Sequence, residues 1–80
     1  MTEAEVYVAL TEVFHEAFGD DTIVLKPETS AKDIPGWNSM KMVLIIIAAE
    51  ERFAIKLRSR EIDTLKCVGD LVGVISSKIL

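Results

Sequence analysis

The chemistry open to this chain centres on one hydroxyl. Ser39 follows a long irregular connection and stands at the opening of a strongly apolar segment, flanked by Trp37, Asn38 and Met40. The first turn of a helix carries unpaired backbone N–H groups and the positive end of the helix dipole. An anion is stabilised there, and a phosphate suits the position well. Ser39 is therefore placed to hold a phosphodiester. Spacing alone favours the commoner role of a capping or first-turn serine, since Ser and Asn both cap helices well. The remaining reactive residues are few. One cysteine, Cys67, and one histidine, His15, exclude an internal disulfide, a cysteine-based metal site and a His-rich centre. Cys67 reads as structural filler and His15 as a solvated residue among polar neighbours. No catalytic constellation is visible, so the chain is not expected to be an enzyme or to hold a metal.

The elements that position Ser39 follow from periodicity. Val6, Leu10, Val13 and Ala17 recur at helical spacing between Glu3 and Phe18, with glutamates on the other side. Thr2 and Glu5 form a capping box at its start, and Gly19 suits its left-handed end. Residues 20–38 contain Pro27, Thr29, Ser30, Pro35 and Gly36, which break any regular pattern. Ile23, Val24, Leu25 and Ile34 should pack this loop onto the core, with Trp37 as an anchor. Connections this long in a small domain tend to be functional. A second helix runs from Asn38–Ser39 through Phe53, a single turn is expected at Ser59–Asp63, and a last helix at about Val68 to Ile79, striped by Leu71, Val72, Ile75 and Ile79. The expected fold is all-α, a small bundle of three to four helices with a long loop between the first and second.

Composition bounds the rest. Eighty residues suffice for one domain, residues 1–80, and bury about 60% of the surface the unfolded chain exposes. The acidic start does not read as a signal peptide. The longest apolar run, Met42 to Ala49, falls short of the roughly 20 residues a membrane span needs. A cytoplasmic monomer without membrane insertion is the expectation. The net charge of −4 disfavours nucleic acid as a partner. Residues 1–33 hold eight acids and two bases, whereas residues 34–80 hold five acids and seven bases, so the second half is mildly basic.

Three blocks carry a family resemblance. Asp33-Ile34-Pro35-Gly36-Trp37-Asn38-Ser39-Met40 resembles the D-S-L modification motif of acyl and peptidyl carrier proteins, often preceded by G-W in specialised members. Ala49-Glu50-Glu51-Arg52-Phe53-Ala54-Ile55-Lys56-Leu57 is similar to the family's L-E-E-x-F-x-I-x-I stretch. Glu61 to Leu71 resembles its closing segment, in which T-V-G-D-L opens the last helix. The blocks occur in the family's order and spacing and, with the first helix, cover nearly the whole chain. The resemblance implies a 4′-phosphopantetheine arm on Ser39, donated by coenzyme A through a phosphopantetheinyl transferase that uses magnesium. It also implies an acyl or aminoacyl thioester on the arm, loaded by a ligase and passed to synthase or transferase enzymes. Such a carrier raises the local concentration of a tethered intermediate. Fatty-acid, polyketide, nonribosomal-peptide and specialised lipid synthesis are all open, and the length suggests a discrete protein.

Two departures from the family pattern matter. Asn38 stands where the family has Asp, keeping the cap but removing a charge that could recruit magnesium or a basic transferase. The second helix is neutral where family members are acidic. Met40, Val43, Ile47 and Phe53 should face the core, leaving Met42, Leu44 and Ile45 partly exposed. Lys41, Met42, Leu44, Ile45, Glu50, Arg58 and Ile62 are the expected partner contacts, since exposed apolar patches mark binding surfaces and Met suits adaptable ones. The competing expectation is an unmodified carrier-like adaptor or subunit that works through this helix.

Overall fold

The computed structural model describes residues 1–79, and among them it has four α-helices and no strand. The helices are α1 (Glu3–Phe18), α2 (Ser39–Phe53), α3 (Ser59–Ile62) and α4 (Val68–Ile79), with one 3₁₀ turn at Ala31–Asp33. The local signals for α1 act as expected. The Thr2 hydroxyl accepts from the Glu5 N–H at 3.2 Å, and the Glu5 carboxylate accepts from the Thr2 N–H at 2.7 Å. These bonds favour the charged carboxylate, so Glu5 titrates below its ordinary range. Gly19 ends the helix in the left-handed region at φ 62°.

α1 packs on α2 and α4 around a core in which Val6, Leu10, Phe14, Ile45, Leu71 and Ile75 are fully enclosed. The inward face of α2 differs from the expectation. Ile45, Ile46, Ala49 and Phe53 are buried, whereas Met40, Val43 and Ile47 point outward. Ile45 is thus a core residue and is withdrawn as a partner contact. Leu44 is exposed and Met42 half-buried. The reason is that α2 has two apolar stripes at helical spacing. Periodicity identifies each stripe, but only the packing of α1 and α4 chooses between them.

The long loop is held by specific bonds. Ile34 is buried and Ile23 and Leu25 are half-buried, while Val24 points into solvent, contrary to expectation. His15 is not a free surface residue. Its Nε2–H donates to the Ile23 carbonyl at 2.8 Å, which ties the loop to α1. Thr29 is buried, and its hydroxyl accepts from the Lys26 N–H at 2.9 Å. The carbonyls of Thr29 and Pro27 accept from the N–H groups of Val68 and Gly69 at 2.7 and 2.8 Å. Two of the orphan donors that open α4 are thus satisfied by loop backbone some 40 residues earlier in the chain, rather than by a neighbouring side chain.

At the other end of α2, Ala54 adopts a left-handed conformation at φ 55° and its N–H donates to the Glu50 carbonyl. A residue with a Cβ is strained by about 1–2 kcal/mol there, and glycine is not. Allowing for the extra freedom of glycine in the unfolded chain, Ala54→Gly should stabilise the fold by about 1 kcal/mol. Urea unfolding of the two proteins checks the sign and the size.

Candidate functional site

Asn38, not Ser39, caps α2. Its Oδ1 accepts from the Lys41 N–H at 3.0 Å, and its carbonyl accepts from the Met42 N–H at 2.9 Å. Ser39 is consequently the first helical residue, exposed, with its hydroxyl out of the cap. No acidic residue lies in the first turn of α2, so that turn sets no negative charge of its own against an anion on Ser39.

The approach to Ser39 is held by backbone geometry and ring contacts. Gly36 sits at φ 86°, a conformation that side-chain-bearing residues rarely adopt, and this lets the loop turn into α2. The Trp37 N–H then donates to the Ile34 carbonyl at 3.2 Å. The Trp37 ring meets Phe14 edge-on at 5.1 Å between centroids, and Phe14 stacks with Phe18 at 5.9 Å. Trp37 therefore anchors the loop to the core, two residues before the serine. From the α2 side, the Lys41 ammonium donates to the Ala17 carbonyl at 2.6 Å and lies 5.4 Å from the Phe18 ring centroid. It closes the C-terminal end of α1 onto the first turn of α2.

This geometry redistributes the expected partner contacts. Lys41 is turned to an internal carbonyl. Glu50 is also turned inward and accepts from the Leu57 N–H at 2.8 Å. Leu44 and Arg58 are exposed. Met42 and Ile62 are half-buried and both line a groove.

That groove is the feature that sequence reading missed. It has a volume of about 700 Å³ and begins at Ser39. Met42, Val43 and Ile46 line it from α2, Ile62 from the last residue of α3, Leu65 from the segment after it and Leu71 from α4. Its charged rim is Asp63 and Lys66, and the half-buried Cys67 also lines it. The clue in the sequence was the pair Ile62 and Leu65, apolar residues beside a turn too short to build a core. Glu61 sits behind them, accepting from the Arg58 N–H and paired with Lys78 at 3.1 Å; both partners hold its carboxyl below its ordinary range. Among the described residues no group of His, Cys, Asp and Glu side chains could hold a metal ion, and no helix is long and apolar enough to cross a membrane.

An exposed serine at a capped helix start, opening onto an apolar groove, suits a tethered apolar cargo. No family model matches the chain. The acyl carrier protein of Acidothermus cellulolyticus is 34% identical over 77 residues, covering 96% of this chain and 92% of its own. That of Myxococcus xanthus is 34% identical over 74 residues, covering 92% and 94%. The solution structure of the holo acyl carrier protein of Geobacter metallireducens superposes with a TM-score of 0.86 at 41% identity, over 91% of this chain and 84% of that one. The fold, the exposed serine and these relatives agree, and the chain belongs to the acyl carrier protein family, whose members carry intermediates rather than catalyse reactions.

Proposed function

We propose that Ser39 bears the 4′-phosphopantetheine arm of this carrier, and that the arm carries acyl groups as thioesters. The observation that supports this best is the division of labour at the start of α2: Asn38 performs the capping, which leaves the exposed Ser39 hydroxyl available at the positive end of the helix. In the attachment step the Ser39 oxygen bonds to the pantetheine-bearing phosphorus of coenzyme A. The pyrophosphate bond breaks, adenosine 3′,5′-bisphosphate leaves, and the serine proton passes to the transferase or to solvent. The chain's own residues supply the position. Trp37 and Gly36 fix the loop, and Lys41 fixes the helix start.

The apolar groove favours acyl over aminoacyl cargo, because a hydrocarbon chain lying between Met42, Ile46, Ile62 and Leu65 leaves water at about 0.8 kcal/mol per buried CH₂. Loading by a ligase and unloading to synthase or transferase enzymes would follow, in fatty-acid or specialised lipid synthesis. Met42 and Ile62 then contact cargo rather than partner enzymes.

The test is mass spectrometry after incubation with coenzyme A, magnesium and a broad-specificity phosphopantetheinyl transferase. Wild type should gain one phosphopantetheine, and Ser39→Ala none. No gain with any transferase tried, together with wild-type function of Ser39→Ala in the cell, would favour an unmodified adaptor and overturn the carrier reading.

A further inference from the structure

The bank of the groove formed by residues 62–67 belongs to a segment with two firm ends and a lightly held middle. At one end Leu57 is buried, and its N–H donates to the Glu50 carboxylate at 2.8 Å. At the other end Val68 is fully buried, and its N–H donates to the Thr29 carbonyl at 2.7 Å. Between them no residue from 58 to 67 is buried, and Ile62 and Leu65 are half-buried. Burial is what resists local opening, so this stretch belongs to the low-stability end of the fold. Ile62 and Leu65 are the aliphatic side chains it contributes to the groove.

The polar bonds of the stretch are mostly its own. The N–H groups of Glu61, Ile62, Asp63, Thr64 and Leu65 all donate to carbonyls within it. The Lys66 N–H donates to the Asp70 carboxylate at 3.0 Å, close to the Val68 end. Among the described residues, the middle of the stretch has one polar tie to another element. Glu61 on α3 pairs with Lys78 in the last turn of α4 at 3.1 Å. Both side chains are largely covered, 25% exposed for Lys78 and 27% for Glu61. The oxygen that meets Lys78, Glu61 Oε1, also accepts from the Arg58 N–H at 2.9 Å and so closes the single turn of α3. One carboxylate oxygen thus fastens α3 to α4 and holds α3 together, which couples the turn to the tie.

We propose that residues 58–67 are a strap along the groove and that the Glu61–Lys78 pair is its latch, setting the fraction of time for which an apolar cargo is enclosed. With the latch broken, α3 loses its tie to α4, and Ile62 and Leu65 lift from the groove together. Glu61 and Lys78 are positioning residues, since they touch no cargo and act through these two side chains. Partly exposed ion pairs are weak and shift an equilibrium by about threefold. A tie of that strength biases the strap without sealing it, as a carrier that must release its cargo requires. The cargo rests on the carrier reading, but the latch is present in the arm-free chain.

The first readout is amide hydrogen exchange on the arm-free full chain. Lys78→Met keeps the aliphatic stem and removes the charge. It should speed exchange at Ile62, Asp63 and Leu65 about threefold and leave Leu10 and Phe14 unchanged. Molar salt should speed the same amides in wild type and add nothing in Lys78→Met. Glu61→Gln combined with Lys78→Met should be no faster than Glu61→Gln alone, the mark of a direct pair. The second readout is the thioester. With an octanoyl group on the arm, hydroxylamine should cleave Lys78→Met about threefold faster than wild type. With an acetyl group, which has too little hydrocarbon to be held, the two should react alike. Unchanged exchange at Ile62 and Leu65 overturns the proposal. An equal rise at Leu10 and Phe14 overturns it too, because the pair would then support the whole fold. Octanoyl and acetyl forms that respond equally overturn it as well. If the chain accepts no arm, the mass measurement records that failure of the carrier reading, while exchange still decides the latch.

Discussion

Phe14→Ala is expected to destabilise the fold by about 3–5 kcal/mol, the usual cost of deleting a fully buried aromatic ring. Phe14 has no exposed surface and touches both Phe18 and Trp37. Small domains have only about 5–15 kcal/mol of stability in total, so this single change should leave the protein near its unfolding threshold. The effect should also reach the functional site. Without the Phe14 ring, Trp37 loses the partner that holds the loop two residues before Ser39. Urea unfolding measures the loss. Under conditions where the variant is still folded, its Trp37 emission should shift to the red. A variant that lost stability but kept wild-type emission would show that Trp37 is held by other contacts.

Gly69→Ala should cost about 2–3 kcal/mol, although it adds only a methyl group inside a helix. A Cβ at Gly69 would lie 2.8 Å from the Pro27 carbonyl oxygen and 3.4 Å from its carbonyl carbon. These are backbone atoms, so no rotamer change can relieve the clash. The loop must move, and the bonds Gly69 N–H to Pro27 and Val68 N–H to Thr29 are then lost or stretched. A buried donor left without its acceptor costs about 1–3 kcal/mol. Gly73 is the internal control, because a Cβ there meets nothing within 4 Å. Gly73→Ala should stabilise by about 0.5–1 kcal/mol through helix propensity. Opposite signs for the same substitution four residues apart, read by thermal or urea unfolding, would isolate the close approach of Pro27 as the cause. Faster amide exchange at Val68 in Gly69→Ala would place the damage at the cap. Equal effects at the two glycines would refute the account.

Gly69 also illustrates where local reading stops. The residue belongs to the block that resembles the opening of the family's last helix, yet nothing near it in sequence explains why a glycine stands there. The explanation is a carbonyl some 40 residues away. His15 is a similar case. Its neighbours in sequence are polar, but its ring reaches the Ile23 carbonyl across a turn of chain. The groove beside Ser39 belongs with these, since its two banks come from α2 and from residues 62–71.

What the sequence determined by itself is the set of helices, their caps and the place of Ser39. Thr2 with Glu5 and Gly19 act within four residues of themselves, so residue type and spacing suffice to locate them, whereas Asn38 and Ser39 were both eligible to cap α2. Tertiary structure alone decided which of the two apolar stripes of α2 turns inward. Periodicity identifies a face only when the opposite face is polar, and α2 is apolar on both. Burying Ile45, Ile46, Ala49 and Phe53 against α1 and α4 therefore leaves Met40, Val43, Leu44 and Ile47 outside, beside the serine. The hydroxyl was legible from local chemistry, whereas its groove and its neighbouring surface depend on contacts between segments far apart in the chain.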